Sequence, residues 1–399
     1  MENKRPQQRL QADDQGGIDM QVRRTGAKLA LLSAAMAVLA AGSAFAQAVT
    51  IGVTVGATGP TASIGIPMKN GIELLPQKIG DVPVKYVILD DAGDPGIAVK
   101  NMRQLTERDN VDIVLGSSSI PSCTALAETA VQTKTPQICL TPVRTNEYTF
   151  AVAQSAALMV EGLVEHMHSK GFKEIGYIGF ADSLGEHNLS ALQKLMMPHG
   201  MKLVANERFN RTDTSVTAQI LKLMAAKPEA IFVSASGTPA ALPQIELAQR
   251  GYKGQVYFLH GVINRDFLRV GGKSLEGVIA TAGPFAVAAQ LDDTNTIKKE
   301  AVAFTKLYNT KHGEGSANTF AAYSWDAFKL VEVAVPTAMA KAKPGTPEFR
   351  EALRNALQNS PEITGSNAIY KMTPTDHNGL DSRARVMVTV KNGGFTPIK

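Results

Sequence analysis

Residues that commonly carry catalysis or hold a metal are scarce in this sequence, or they lack the necessary spacing. There are two cysteines, one tryptophan and seven histidines, and no two histidines have the H-E-x-x-H spacing of a metal site. The stretch VGGKS resembles the end of a phosphate-binding loop, but Phe267 stands where that motif requires its first glycine. No nucleophile–base pair is recognisable in one set of loops. The sequence therefore favours a protein with no cofactor, no metal and no catalysis.

Blocks of like charge and low-complexity segments are also missing. The net charge of +5 on 399 residues is too small to indicate a nucleic-acid partner. Hydrophobic residues make up 44% and charged residues 19%, a balance that supports a large core and argues against disorder. The length suits two domains of ordinary size.

Long apolar runs are limited to one, LALLSAAMAVLAAGSAFA at residues 29–46. Three basic residues precede it, and Ala44-Phe45-Ala46 forms an A-x-A site at its end, which is the pattern of a secretory signal. A transmembrane anchor is the alternative, but the run is short, rich in alanine and interrupted by polar or small residues. We expect residues 1–46, or 20–46 if translation starts at Met20, to be removed on export.

From residue 48 onward, apolar strand-like runs alternate with helix-like stretches. Near-continuous apolar strands are typical of parallel sheets that are covered on both faces. The pattern predicts an α/β fold with two Rossmann-like lobes. Because the late helices have no sheet of their own, we expect them to return to the first lobe, and the last strands to join the second. Lobe 1 would take 48–155 plus 287–372, and lobe 2 would take 156–286 plus 373–399.

One loop at a strand–helix junction is unusually rich in hydroxyl groups: VLGSSSIPSCTALAETA, at residues 114–130. Ligands bind outside the carboxyl ends of the strands in such folds, and a helix N-terminus with free N–H groups and hydroxyls suits a carboxylate. Plain capping of the helix is the alternative interpretation. In an oxidising compartment, Cys123 and the nearby Cys139 are candidates for a disulfide, or else two buried thiols.

The mature chain, about residues 49–397, resembles the type I periplasmic binding proteins of the leucine/isoleucine/valine-binding family. The resemblance rests on the order of several motifs, among them IGVTVGATGPTASIGIPMKNGIEL, GSSSIPS, GFADSLGE, LHGVINRDFLRVGG and HNGLDSRARVMVTV. It implies two lobes joined by a hinge of three crossovers, a small ligand trapped between them, and delivery to an inner-membrane ABC permease. We expect a monomer that works without catalysis.

Carried over to this sequence, the family's contact loops give a set of predicted ligand-binding residues. They are Ala62, Ser63, Ile64, Ser117, Ser118, Ser119, Pro121, Ser122, Thr141, Asp182, Leu184, Gly237, Thr238, His260, Gly261 and Pro284. Leu184 departs from the family, which often has tyrosine at that position.

The class of ligand depends on whether the second lobe supplies a carboxylate. The HGVIN loop offers His260 and no acid before Asp266, and the best remaining acid, Asp182, is equally suited to capping a helix. A buried ammonium needs an anionic partner. The sequence therefore favours a small apolar or aromatic carboxylate without an amine. The alternatives are a branched-chain amino acid, or a ligand-sensing role beside a signalling receptor.

Overall fold

Strands and helices alternate through residues 47–398, the part of the chain that the computed structural model describes. The expected signal peptide at residues 1–46 lies outside the described residues. The predicted α/β class with two parallel-dominated sheets is confirmed. None of the helices within residues 47–398 is long and apolar enough to cross a membrane.

The first sheet has six strands in the order β2-β3-β1-β4-β5-β6. All neighbours are parallel except the short β2, which pairs antiparallel with β3. The strands are β1 (Val49–Val55), β2 (Lys78–Ile79), β3 (Val82–Asp90), β4 (Ile113–Gly116), β5 (Gln137–Cys139) and β6 (Thr149–Ala151).

The second sheet has seven strands in the order β15-β14-β11-β10-β9-β7-β8. The last two strands of the chain form an antiparallel hairpin that adds to one edge, as the sequence led us to expect. The strands are β7 (Glu174–Phe180), β8 (Lys202–Phe209), β9 (Ala230–Ser234), β10 (Gln255–Phe258), β11 (Ile279–Ala282), β14 (Val386–Lys391) and β15 (Gly394–Pro397). Strands β12 (Ile363–Thr364) and β13 (Ile369–Tyr370) form a separate pair.

Helices cover both sheets. They are α1 (Ala62–Ile72), α2 (Pro95–Arg103), α3 (Ile120–Thr133), α4 (Ala156–Ser169), α5 (Ser183–Met196), α6 (Thr217–Ala225), α7 (Ala241–Gln249), α8 (Arg265–Gly271), α9 (Thr296–His312), α10 (Thr319–Met339) and α11 (Pro347–Gln358). Helices α8 and α11 were missed in the sequence, although Thr346 before Pro347 is a clear start signal: Thr346 accepts the N–H of Phe349.

The late helices pack on the first sheet. Phe328 of α10 and Leu353 of α11 share one buried cluster with Ile51 and Val53 of β1. The chain passes between the sheets after β6, after β11 and before β14. The lobe boundaries that we inferred from the sequence stay a prediction.

A buried carboxylate joins α10 to the segment near the third passage. Asp326 accepts hydrogen bonds from the backbone N–H and the hydroxyl of Ser366, at 2.5 and 2.7 Å, and from the N–H of Asn367 at 3.0 Å. The hydroxyl of Tyr370 donates a fourth at 2.8 Å. Burial raises the pKa of Asp326 to about 6, and the hydrogen bonds oppose that shift. The segment at 366–370 is thereby held against the first sheet's helices.

Candidate functional site

A cavity of about 50 Å³ lies where loops from the carboxyl ends of both sheets meet. Its wall is mostly apolar, with a few hydroxyl, amide and imidazole groups. Among the described residues that form this wall, none has a charged side chain. The lining residues are Ile64, Ser118, Ser119, Ile120, Leu140, Thr141, Pro142, Leu184, Asn188, Ala235, Ser236, Leu259, His260, Gly261, Phe320 and Tyr323.

On the first-sheet side, the loop between β4 and α3 brings two serines to the wall. Ser118 Oγ accepts the backbone N–H of Gly56 at 2.8 Å, which connects this loop to the end of β1. Ser119 is the N-cap of α3, since its side chain accepts from Ser122 N at 3.3 Å, and Pro121 follows in the first turn. Both hydroxyls are therefore held in place before any ligand binds.

The other serines of this loop support it from beneath. Ser117 is fully buried and donates to the buried Asp91 at 2.8 Å, and Ser122 Oγ lies 2.8 Å from Ser119 Oγ. The capping interpretation of the serine-rich stretch holds for Ser119, which caps α3 and also lines the cavity. Ser118 and Ser119 face the cavity, whereas Ser117 and Ser122 hold the loop.

On the second-sheet side, α5 and the loop after β9 form the wall. Asn188 of α5 donates its amide N–H to Ser234 Oγ at 2.9 Å, and its amide oxygen accepts no hydrogen bond from residues 47–398. Ser236 accepts from Arg211 Nη1 at 3.2 Å. The polar groups here are neutral and already fixed by neighbours.

Two further polar groups of the wall are buried without a partner. Thr141 Oγ1 and His260 Nδ1 have no hydrogen-bond partner among residues 47–398. Burial lowers the pKa of His260 to about 4, so the imidazole is neutral at pH 7. Buried polar groups are normally satisfied, so these two atoms, one on each side of the cavity, are candidate contacts for the polar atoms of a ligand.

Asp182, the acid that the sequence left open, is occupied by structural partners. Its Oδ1 accepts from the backbone N–H groups of Leu184 and Gly185, at 2.9 and 3.4 Å, which makes it the N-cap of α5. Its Oδ2 accepts from Arg211 Nε at 2.7 Å. The guanidinium of Arg211 also lies over the ring of Phe180, 4.2 Å from its centroid. Asp182 is not on the cavity wall.

Contacts also connect the first-sheet side to the second-sheet side. The N–H of Thr238 donates to Ser63 Oγ at 3.4 Å, and Ile120 of α3 packs into the same apolar cluster as Leu184. Arg265 Nη1 donates to the carbonyl oxygen of Glu314 at 3.3 Å.

Comparison with known proteins decides the family. The periplasmic binding protein family model matches residues 48–394. The chain belongs to the Leu/Ile/Val-binding family of type I periplasmic binding proteins. Proteins of this family are exported, bind small molecules and work with ABC permeases, and they are solute-binding proteins rather than enzymes. The family that the sequence motifs indicated is thus confirmed.

Individual relatives place the chain within the family. An extracellular ligand-binding receptor from Rhodopseudomonas palustris is 43% identical, with a TM-score of 0.86 over 88% of this chain and 99% of that chain. Leu/Ile/Val-binding protein homolog 3 of Brucella melitensis is 24% identical over 86% of this chain and 91% of its own. A solute binding protein of an R. palustris ABC transporter, solved in complex with benzoate, is 17% identical with a TM-score of 0.75 over 88% of this chain and 95% of its own.

The predicted ligand residues of this periplasmic binding protein fall into two groups. Ile64, Ser118, Ser119, Thr141, Leu184, His260 and Gly261 line the cavity. Ala62, Ser63, Ser117, Pro121, Ser122, Asp182, Gly237, Thr238 and Pro284 lie outside the lining. Ligand contact by the first group stays a prediction.

Several wall residues of the binding protein escaped the sequence analysis. Asn188 lies in the second turn of α5, and Phe320 and Tyr323 belong to a helix distant in sequence from the loops. Phe320 and Tyr323 carry no local signal of a ligand site. A signal for the helix itself is present, because Asn318 is the N-cap of α10 and marks its start. The N-terminal end of α10 is the end that reaches the cavity.

The sulfur atoms of Cys123 and Cys139 are in bonding contact in this binding protein, with their Cα atoms 6.1 Å apart, within the range for a disulfide. Cys123 is in the first turn of α3 and Cys139 ends β5, so a bond would tie the loop of Ser118 to the loop of Thr141. The disulfide stays a prediction. Thiol titration of the unfolded, unreduced protein should find no free thiol, whereas two thiols per chain would contradict it.

Proposed function

We propose that this protein is the periplasmic solute-binding component of an ABC importer, and that it captures a small carboxylate with an apolar or aromatic body and no amine. The observation that carries the proposal is the cavity wall, which has no charged side chain among the described residues. Export with removal of residues 1–46, a monomeric state and an inner-membrane ABC permease as partner belong to the same proposal.

An α-ammonium group would find no anion on this wall. Burying an unpaired ammonium costs several kcal/mol, about the whole free energy of micromolar binding. Asp182 is engaged by Arg211 and by the N-terminus of α5, so it does not supply the missing charge. The acceptors that remain, such as the amide oxygen of Asn188, are neutral.

A carboxylate, in contrast, matches the first-sheet side. Ser118, Ser119 and Thr141 present hydroxyl groups there, and the first two stand at the N-terminus of the 14-residue helix α3. Helix N-termini and neutral donors stabilise a carboxylate without a cationic side chain. Phe320 and Tyr323, with the aliphatic residues, would surround the ligand's apolar body.

The relatives are compatible with two ligand classes. The benzoate complex supports an amine-free aromatic acid in this fold. The name of the Brucella relative supports leucine, isoleucine or valine, which is the alternative ligand class. The alternative partner is a signalling receptor instead of an ABC permease. In that role the protein would sense its ligand with the same cavity.

Titration calorimetry with acids that differ only by the amine tests the proposal. The pairs are 3-phenylpropanoate against phenylalanine and 4-methylpentanoate against leucine. We expect the amine-free member of at least one pair to bind at least about 100-fold more tightly, because the missing counter-charge is worth several kcal/mol. Tighter binding of the amino acid in both pairs would contradict the proposal.

Asn188→Asp provides a matched control, since it puts a carboxylate on the wall at nearly constant shape. It should weaken binding of the amine-free acid by about tenfold or more, because the new carboxylate would repel the ligand's carboxylate across the cavity, even at about 9 Å and an effective dielectric constant near 20. Binding of the amine-free acid that is unchanged in Asn188→Asp would mean that the acid sits elsewhere.

A further inference from the structure

Arg211 lies outside the cavity wall, but it is bonded to a side chain that belongs to the wall. Its guanidinium is fixed by three contacts at once: Asp182 Oδ2 at 2.7 Å, Ser236 Oγ at 3.2 Å, and the ring of Phe180 with a centroid distance of 4.2 Å. Only 17% of the Arg211 side chain is exposed. The planar fork of an arginine makes such a set of contacts, which a lysine cannot reproduce.

The contact determines what Ser236 can offer a ligand. A guanidinium only donates, so Ser236 Oγ must act as the acceptor in this bond. The hydroxyl hydrogen of Ser236 then has no acceptor among residues 47–398, and Ser236 lines the cavity. Donation by Arg211 also polarises the hydroxyl, which strengthens it as a donor.

We propose that Arg211 is a positioning and specificity-determining residue: by holding Ser236 Oγ as an acceptor, it turns the Ser236 hydroxyl into a donor for an uncharged acceptor at the second-sheet end of the ligand. The amide oxygen of Asn188 on the same wall adds an acceptor, so a hydroxyl group satisfies both. This inference rests on the proposed function, because the ligand's carboxylate is taken to face the first-sheet side.

The test compares benzoate with 4-hydroxybenzoate by calorimetry, since only the second acid has an acceptor opposite its carboxylate. Arg211→Lys and Ser236→Ala should each weaken binding of 4-hydroxybenzoate by about 3- to 10-fold, the usual worth of one hydrogen bond, and change benzoate by less than about 2-fold. The double variant should lose no more than either single one, because Arg211 acts through Ser236. Equal losses for the two acids, or additive losses, would overturn the proposal.

Arg208→Lys is the matched control. Like Arg211, which pairs with the N-cap Asp182, Arg208 pairs with an acid of α5: its Nε lies 2.8 Å from Glu186. Arg208 also lies near the ring of Tyr177, but it does not line the cavity. We expect Arg208→Lys to leave the affinity for both acids unchanged. A loss equal to that of Arg211→Lys would assign the effect to the packing of α5 and overturn the proposal.

A second readout needs no ligand and separates this inference from the proposed function. The guanidinium N–H resonances of Arg211, measured by NMR in unliganded protein, should shift in Ser236→Ala and stay in place in Arg208→Lys. If neither acid binds the wild-type protein, the choice of an aromatic carboxylate fails, and the resonances alone decide whether Arg211 holds Ser236. Resonances that are unmoved in Ser236→Ala would overturn the inference.

Discussion

Replacement of Asp326 by alanine is expected to lower the free energy of unfolding by about 3–4 kcal/mol at pH 7. The carboxylate accepts four hydrogen bonds, from Ser366 twice, from Asn367 and from Tyr370, and all of these residues are fully buried. Without it, buried donors lose their acceptor, and each unsatisfied buried group costs about 1–3 kcal/mol. Urea unfolding followed by circular dichroism measures the change.

Two further variants serve as comparisons for Asp326→Ala. Asp326→Asn keeps one acceptor oxygen and should lose less stability than the alanine variant. Asp293→Ala removes an almost fully exposed carboxylate and should leave the unfolding curve where it is. If Asp326→Ala unfolded at the same urea concentration as the wild type, the carboxylate would not hold the 366–370 segment.

The pH dependence of stability provides the second large effect, through His260. Burial lowers the pKa of this imidazole to about 4 in the folded protein, against about 6.5 in the unfolded chain. The neutral form is therefore favoured by folding. The contribution of His260 to the free energy of unfolding is fully present above about pH 6.5. It is lost as the pH falls from about 6.5 through about 4, because the unfolded chain takes up the proton first.

Between pH 7 and pH 4.5, His260 alone should remove about 2–3 kcal/mol from the free energy of unfolding. The asparagine of His260→Asn cannot take up a proton. Between pH 7 and pH 4.5, the free energy of unfolding of this variant should therefore fall by about 2–3 kcal/mol less than that of the wild type. His168→Asn, which alters an exposed histidine, is the control and should follow the wild type. Parallel losses in the wild type and in His260→Asn would mean that His260 is not buried as a neutral group.

The architecture could be inferred from the sequence because local patterns of apolar and turn residues indicate its strands and helices. Apolar runs such as VTIGVTV are buried strands of a parallel sheet, and the dipeptide Asn392-Gly393, a common turn sequence, joins the final hairpin. The expected return of the late helices to the first sheet follows from a simpler constraint. A helix such as α10, with an apolar face and no strand of its own, has to bury that face on an existing layer.

The site was less accessible, since its chemistry depends on partners that are distant in the chain. The sequence leaves two roles open for Asp182, and in the structure its carboxylate caps α5 and pairs with Arg211, 29 residues away. Phe320 and Tyr323 reach the cavity only through the packing of α10 on the first sheet. Hydroxyl-rich loops could be recognised as candidates, but which serine lines the cavity depends on buried partners such as Asp91.

The central claim is that the ligand is a carboxylate without an amine. The most direct measurement is mass spectrometry of the small molecule released when protein purified from the cells that make it is denatured. A carboxylic acid with an apolar or aromatic body and no amine, present at about one per chain, is the result that we predict. Release of leucine, isoleucine or valine at that stoichiometry would contradict the claim and would establish the amino-acid alternative.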